Sequence, residues 1–121
     1  GGLAQGGLLS QILRFSPAGT PGNRLTVLPQ QLPQGLLAAQ AVYDPNDRVV
    51  YLFAPMNTTW TSMGRILQFD PQTSQTNIVA QMDARRGPAA VYVSSLDMHM
   101  VIGGQAPSFG TSLDMWAFKR D

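Results

Sequence analysis

The chain has 121 residues, a formal net charge of +1 and only 12% charged residues. So small a net charge provides no electrostatic attraction for nucleic acid or for an anionic membrane surface. No apolar run approaches the roughly 18 residues that a membrane span requires. We therefore expect neither nucleic-acid binding nor membrane insertion. The chain contains no cysteine, so it forms no disulfide and offers no thiolate for catalysis or metal binding.

Short apolar runs rich in β-branched and aromatic residues, bounded by Gly, Pro, Asn or Asp, predict strands along the whole chain. No segment sustains the i, i+3, i+4, i+7 apolar spacing of an amphipathic helix. The sequence therefore predicts an all-β fold. The nine expected strands are Gln11–Phe15, Arg24–Leu28, Leu37–Tyr43, Val49–Phe53, Arg65–Phe69, Thr76–Ala80, Ala89–Val93, Met98–Ile102 and Leu113–Phe118.

Strand and turn segments recur along the chain at a spacing of about fifty residues. Ile12–Pro17 returns as Ile66–Pro71 at an offset of 54, and Ala41–Tyr43 returns as Ala90–Tyr92 at an offset of 49. A looser third copy of the first segment lies at Met115–Phe118. A repeat of this length made of short strands is typical of β-propeller blades, each a unit that cannot bury its faces alone.

Blades of this kind are four-stranded antiparallel meanders, which divides the predicted strands into the end of one blade, a complete blade and most of a third. We expect residues 1–28, 37–82 and 89–121 to be these three parts of one β-propeller domain. About two blades are fewer than a closed ring needs, so we expect a fragment of a larger propeller that is not a stable monomer alone. The alternative is an oligomer of such chains that closes a ring.

The predicted links between strands are of two kinds, short turns and longer loops. Alternate connections of an antiparallel meander emerge at opposite ends of the strands, so the longer loops should gather at one end. Function concentrates on loops that a rigid scaffold holds in place, which makes that end the expected binding surface. The longer loops cover residues 29–36, 54–64, 81–88 and 103–112, and the N-terminal residues align with the last of them.

The motifs at the strand ends resemble those of kelch repeats. Gly103-Gly104 closes a strand as the kelch diglycine does, and Asp70-Pro71 ends another strand like the Tyr-Asp-Pro turn of that family. Arg85-Arg86-Gly87 precedes the next apolar strand like its Pro-Arg segment. The resemblance covers almost the whole chain, and it implies a kelch-like β-propeller.

The chain departs from the kelch pattern at several positions, which implies a divergent member. Ala54-Pro55 occupies the diglycine position of the middle blade. The fourth-strand Trp of the family is replaced by Thr26-Val27 and by Ile78-Val79, whereas Trp116 lies in a third strand.

The resemblance implies a non-catalytic scaffold for protein–protein interaction or assembly, whose partner is another protein or further propeller blades of the same or another chain. The alternative is a fragment of a propeller enzyme, copper-radical oxidase-like or sugar-modifying, with catalytic residues outside this chain. Copper-radical chemistry needs two His, two Tyr and a Cys, and this chain has a single His, His99, and no Cys. We therefore expect no catalytic residue, no metal and no cofactor here.

The expected partner surface consists of amide, hydroxyl, aromatic and basic side chains of the longer loops, a mixture that suits polar contacts around an aromatic anchor. Trp60 is the candidate anchor, unless it folds down over the sheet instead. Of the neighbouring Arg85 and Arg86, we expect Arg86 to be the structural one. The candidate binding residues are Gln31, Gln34, Asn57, Thr59, Trp60, Arg85, Gln105 and Phe109.

Asn57-Thr58-Thr59 is an Asn-X-Thr sequon, so Asn57 is a candidate glycosylation site. Together with the low charge and high Gln, Thr and Ser content, the sequon favours an extracellular or cell-surface protein over a cytoplasmic one.

Overall fold

The computed structural model describes residues 2–57, 59–108 and 110–120, and within them the chain is all-β with antiparallel sheets. The strands are β1 (Gly2–Ala4), β2 (Gly7–Leu9), β3 (Gln11–Phe15), β4 (Leu25–Gln31), β5 (Gln40–Asp44), β6 (Val49–Phe53), β7 (Arg65–Asp70), β8 (Gln75–Gln81), β9 (Ala89–Val93), β10 (Met98–Ile102) and β11 (Met115–Phe118).

Every predicted strand is present, and β3, β6, β9 and β10 match the prediction to the residue. The hairpin β1–β2 was not predicted as strands, because its Gly-rich sequence carries little strand propensity. The residue that follows this hairpin nevertheless makes the contact that the repeat implies. The Leu32 N–H donates to the Ser10 carbonyl at 2.8 Å, as the Met82 N–H donates to the Gly64 carbonyl at 3.0 Å.

The β1–β2 hairpin is a separate two-stranded sheet. The other strands form three successive sheets, which we call the first sheet (β3–β4), the middle sheet (β5–β6–β7–β8) and the third sheet (β9–β10–β11). The expected single antiparallel sheet over residues 37–82 is confirmed, with Leu52 opposite Ala41 on one side and Leu67 on the other. The expected three strands over 89–118 are confirmed as well.

The middle sheet is apolar on both faces, and each face packs against a neighbouring sheet. Tyr51, Phe53 and Ile66 lie in a core cluster with Val101 and Trp116 of the third sheet. On the opposite face, Leu52 and Leu67 lie in a second cluster with Ile12 of the first sheet and with Leu32 and Leu36 of the link between them. Because residues alternate between faces along a strand, β6 is buried from both sides.

The repeat extends to backbone conformations that side chains disfavour. Ala38 and Gly87, 49 residues apart, have φ of 52° and 55°. Ala54 and Gly103, also 49 apart, have φ of 50° and 62°. Each of these two glycines therefore has an alanine counterpart that adopts the left-handed conformation at a steric cost of roughly 1–2 kcal/mol. Ala54 is the residue that occupies the diglycine position of the middle sheet.

The pair Ala38 and Gly87 gives a test of this equivalence, because Ala38 is exposed and a Cβ at Gly87 would meet no atom within 4 Å. We expect Ala38→Gly to raise the free energy of unfolding by about 0.5–1 kcal/mol, after the entropic penalty of glycine is subtracted, and Gly87→Ala to lower it by a similar amount. Urea unfolding measures both. Ala39→Gly, next to the left-handed residue, is the control and should only destabilise.

Candidate functional site

The longer loops meet at one end of the sheets, as the meander predicts. The link before the middle sheet pairs with its β6–β7 loop through a bridge between Leu37 and Met56. The link before the third sheet pairs with the β10–β11 loop through a bridge between Arg86 and Gln105. We call this end the long-loop surface, and the end that carries the short turns 45–48, 71–74 and 94–97 the short-turn end.

The β6–β7 loop holds Trp60 out in solvent. The Asn57 side-chain oxygen accepts hydrogen bonds from the Thr59 and Thr61 N–H groups, both at 3.0 Å, and from the Thr59 hydroxyl at 2.8 Å. Trp60 has φ of 58° and 53% of its surface exposed. A left-handed conformation at so bulky a residue is unusual, and such strain concentrates at functional sites. The alternative in which Trp60 folds down over the sheet is not the observed one.

All three predicted glutamines lie exposed at the long-loop surface. Gln31 accepts a hydrogen bond from the Ser10 hydroxyl at 2.6 Å, and the Gln34 amide contacts the Met63 sulfur. Gln105 is the third. Phe109, the other predicted aromatic contact, lies outside the described residues. The structure thus brings Gln31, Gln34, Asn57, Thr59, Trp60 and Gln105 to one end of the molecule, and their role in binding stays a prediction.

Arg85 differs from the surface residue that the sequence suggested, because only 2% of its surface is exposed. Its guanidinium donates to the Gly103 carbonyl at 3.0 Å and lies 5.6 Å from the ring centre of Trp116. Arg85 therefore makes buried structural contacts, whereas we expected Arg86 to be the structural arginine of the two; Arg86 is partly buried, and its role stays a prediction. The pattern Arg-Arg-Gly gives no signal for which arginine turns inward.

The repeat explains where Arg85 lies. Its counterpart 49 residues earlier is Leu36, and the counterpart of Trp116 is Leu67, which shares the second core cluster with Leu36. A cation over an aromatic ring therefore takes the place of two packed leucines. The Arg85 Nε atom is buried without a hydrogen-bond partner among the described residues, which removes part of the benefit of burying the charge.

These contacts predict the outcome of two substitutions at Arg85. Arg85→Leu restores the residue type of its counterpart, so the free energy of unfolding should stay within about 1 kcal/mol of the parent or rise. Arg85→Ala leaves an unfilled space and should cost about 2–4 kcal/mol. Chemical denaturation compares the two. Equal losses for Leu and Ala would show that the charge, rather than the packing, is required.

At the short-turn end, His99 is buried where the middle and third sheets meet, with 2% of its surface exposed. Its ring centre lies 4.8 Å from that of Tyr51, 5.1 Å from Tyr92 and 5.6 Å from Phe53. The imidazole Nε2 lies 3.7 Å from the Asp44 carboxylate, too far for a hydrogen bond. Burial lowers the pKa of His99 below 6.5, although Asp44 acts in the opposite direction.

A network of polar side chains joins the two sheets beside His99. The Asn46 amide donates to the Tyr92 hydroxyl at 2.9 Å and to the Asp97 carboxylate at 2.7 Å, and Tyr92 donates to Asp97 at 2.8 Å. The hydrogen bond to Asp97, followed by burial, raises the pKa of Tyr92 to about 12. Hydrogen bonds from Tyr92 and Asn46 hold the pKa of Asp97 below its usual value. The tyrosine thus remains a donor, and the carboxylate an acceptor, throughout the neutral range.

The sequence did not predict this network, and of its members only Tyr92 has a counterpart of the same type, Tyr43, 49 positions earlier. Asp44 begins the turn that carries Asn46, and the N–H group of Asn46 donates to the Asp44 carboxylate at 2.9 Å. Asp-Pro turns predict such local bonds, but the contact from Asn46 to Tyr92 joins residues 46 positions apart. Only the packing of the two sheets brings them together.

The arrangement around His99 suits structural cohesion better than catalysis, because an imidazole enclosed by aromatic rings is not accessible to a substrate. Among residues 2–57, 59–108 and 110–120, no group of three or more His, Asp or Glu side chains is placed to hold a metal ion. The same residues include no helix that is long and apolar enough to cross a membrane. In comparisons with known proteins, neither a family model nor a curated sequence matches this chain.

The buried imidazole predicts a pH-dependent stability. Because the pKa of His99 is lower in the folded chain than in the unfolded chain, the unfolded chain binds the proton more readily, and stability should fall as the pH drops through about 6.5. Urea unfolding at pH 7.5 and 5.5 measures this slope, which His99→Gln should flatten. Loss of stability confined to lower pH would assign it to carboxylates such as Asp97, whose pKa is lowered.

Proposed function

We propose that this chain forms part of a kelch-like β-propeller that acts as a non-catalytic scaffold for protein–protein interaction or assembly. One observation carries the proposal. The two faces that the middle sheet buries against its neighbours have counterparts in the repeat, and these counterparts lie exposed on the outward faces of the two flanking sheets. The middle sheet is covered on both faces, whereas each flanking sheet is covered on one.

The outward face of the first sheet is apolar and exposed. Leu13 lies opposite Val27 and Phe15 opposite Leu25, so the four side chains share one face. Between 52% and 62% of each side chain is exposed. Leu13 and Phe15 are the counterparts, at an offset of 54, of Leu67 and Phe69 on the side of the middle sheet that the first sheet covers. We call these four residues the first face.

The outward face of the third sheet corresponds to the other buried face of the middle sheet. Val91 lies opposite Met100 and Ile102 opposite Met115, and we call these four residues the last face. Their counterparts 49 positions earlier are Val42, Tyr51, Phe53 and Ile66, the residues with which the middle sheet packs against the third sheet. Met115 is 65% exposed and Val91 is 48% exposed.

Exposed apolar faces of this kind mark interaction sites, and repeat units need a neighbour on each side to bury them. The two faces therefore support further sheets of the same type as partners. The long-loop surface supports a second kind of contact, in which Trp60 is the aromatic anchor among exposed polar side chains. The enzyme alternative draws no support from His99, which is enclosed by aromatic rings.

Charge substitutions on the two faces test the proposal. Leu25→Lys on the first face and Met115→Lys on the last face change side chains that are 62% and 65% exposed, so neither should unfold the chain. We expect the parent chain to self-associate in sedimentation velocity, and each variant to associate at least about tenfold more weakly, because a buried lysine without a partner is costly. A mixture of the two variants should form a one-to-one dimer through the two unaltered faces.

Leu96→Lys provides the control, because Leu96 lies in a short turn away from both faces and is 53% exposed. It should leave association unchanged. A parent chain that sediments as a single 13 kDa species and melts cooperatively would contradict the proposal, since the faces would then need no neighbour.

A further inference from the structure

An open cleft of about 400 Å³ runs between the first and middle sheets. On one side it is lined by Gln11, Ile12 and Leu13, and on the other by Val50, Leu52 and Phe69. Side chains that are consecutive along a strand point to opposite faces of its sheet. A cleft lined by three consecutive residues therefore runs along the edge of β3 rather than across one of its faces.

From Ile12 to Phe15, this edge of β3 has no neighbouring strand among the described residues, which pair β3 with β4 alone. Its two counterparts in the repeat do have one. β7 pairs with β6 on the corresponding side, and β11 pairs with β10. An unpaired strand edge presents a row of backbone N–H and C=O groups that accept another strand.

The pairing of β6 with β7 indicates which kind of strand would fit at the edge of β3. Leu52 lies opposite Leu67 and Phe53 opposite Ile66, and the counterparts of Leu67 and Ile66 on β3 are Leu13 and Ile12. Tyr51 and Phe53 of β6 are fully buried in the junction with the third sheet. In the first sheet the corresponding space is the cleft. It thus has the position, the apolar wall and the backbone edge for a strand like β6.

We propose that the edge of β3 binds an extended antiparallel strand with large apolar residues at alternate positions, whose side chains enter the cleft against Val50 and Leu52. This binding is β-strand addition, in which backbone hydrogen bonds provide affinity and pockets for alternate side chains provide selectivity. It deepens the proposed function and rests on it, because it identifies the type of segment that completes the first sheet. A flat apolar face or a small apolar molecule would leave the backbone groups of the edge unpaired.

A peptide with the sequence of residues 47–54, flanked by lysines for solubility, is the appropriate probe. Titrated into the 121-residue chain labelled with nitrogen-15, it should bind saturably, shift the amide resonances of residues 11–15 and raise the melting temperature. A peptide with serine at the three positions of Val49, Tyr51 and Phe53 should bind at least about tenfold more weakly, because each lost apolar side chain removes burial.

Leu13→Asp and Val27→Asp are matched variants of the chain. The two residues lie opposite each other and are 55% and 52% exposed, but only Leu13 would lie next to the added strand. We expect Leu13→Asp to weaken peptide binding by about fivefold or more, through loss of an apolar cross-strand pair, and Val27→Asp to leave it unchanged. Equal effects of the two variants would overturn the proposal.

Backbone methylation tests the edge itself. Of two peptides methylated at the odd or the even amide nitrogens, one should lose binding and the other keep it, since only alternate N–H groups point toward β3. Undiminished binding of both, or filling of the cleft by a small apolar dye while the peptide fails to bind, would overturn the inference. Formation of the Leu25→Lys and Met115→Lys dimer would then leave the proposed function standing, whereas its failure would count against that function.

Discussion

A sheet with large apolar side chains on both faces must be covered on both, because burial of apolar surface is the main favourable contribution to folding. The middle sheet meets this requirement within the chain: Tyr51 and Phe53 pack toward one neighbour, and Leu52 and Leu67 toward the other. Every other part of the structure is arranged around those two junctions. The sheets lie in sequence order, the links cross from one to the next, and the apolar surface that remains is found at the two ends.

The junctions are apolar through most of their depth and polar at the short-turn end. Asn46, Tyr92 and Asp97 form hydrogen bonds across the boundary between the middle and third sheets. Apolar packing tolerates small shifts of one sheet against another, whereas hydrogen bonds of defined length do not. The polar network therefore fixes the register of two sheets whose apolar contacts alone would leave it less well defined. His99, buried next to the network, makes the same boundary sensitive to acid.

The sequence predicted the all-β fold, the strand positions and the common end of the longer loops, because alternating apolar residues and Asp-Pro turns are local signals. It did not separate Arg85 from Arg86, since the side of a loop that faces inward depends on the sheet beneath it. It also gave no indication that Asn46 contacts Tyr92, which depends on how two sheets meet. Trp60 lay between these cases: its loop was predicted, but its exposure results from the hydrogen bonds that Asn57 accepts.

The replacement of Leu36 and Leu67 by Arg85 and Trp116 in the next repeat makes the two junctions chemically unlike. Arg85 and both of its partners, the Gly103 carbonyl and the Trp116 ring, belong to the third sheet and to the link that leads into it. The cation is therefore partnered within its own repeat and needs no contact with a neighbouring sheet. Because desolvating an unpartnered cation is costly, these contacts hold the link against the third sheet, and that sheet can meet a neighbour with its entering loop already in place.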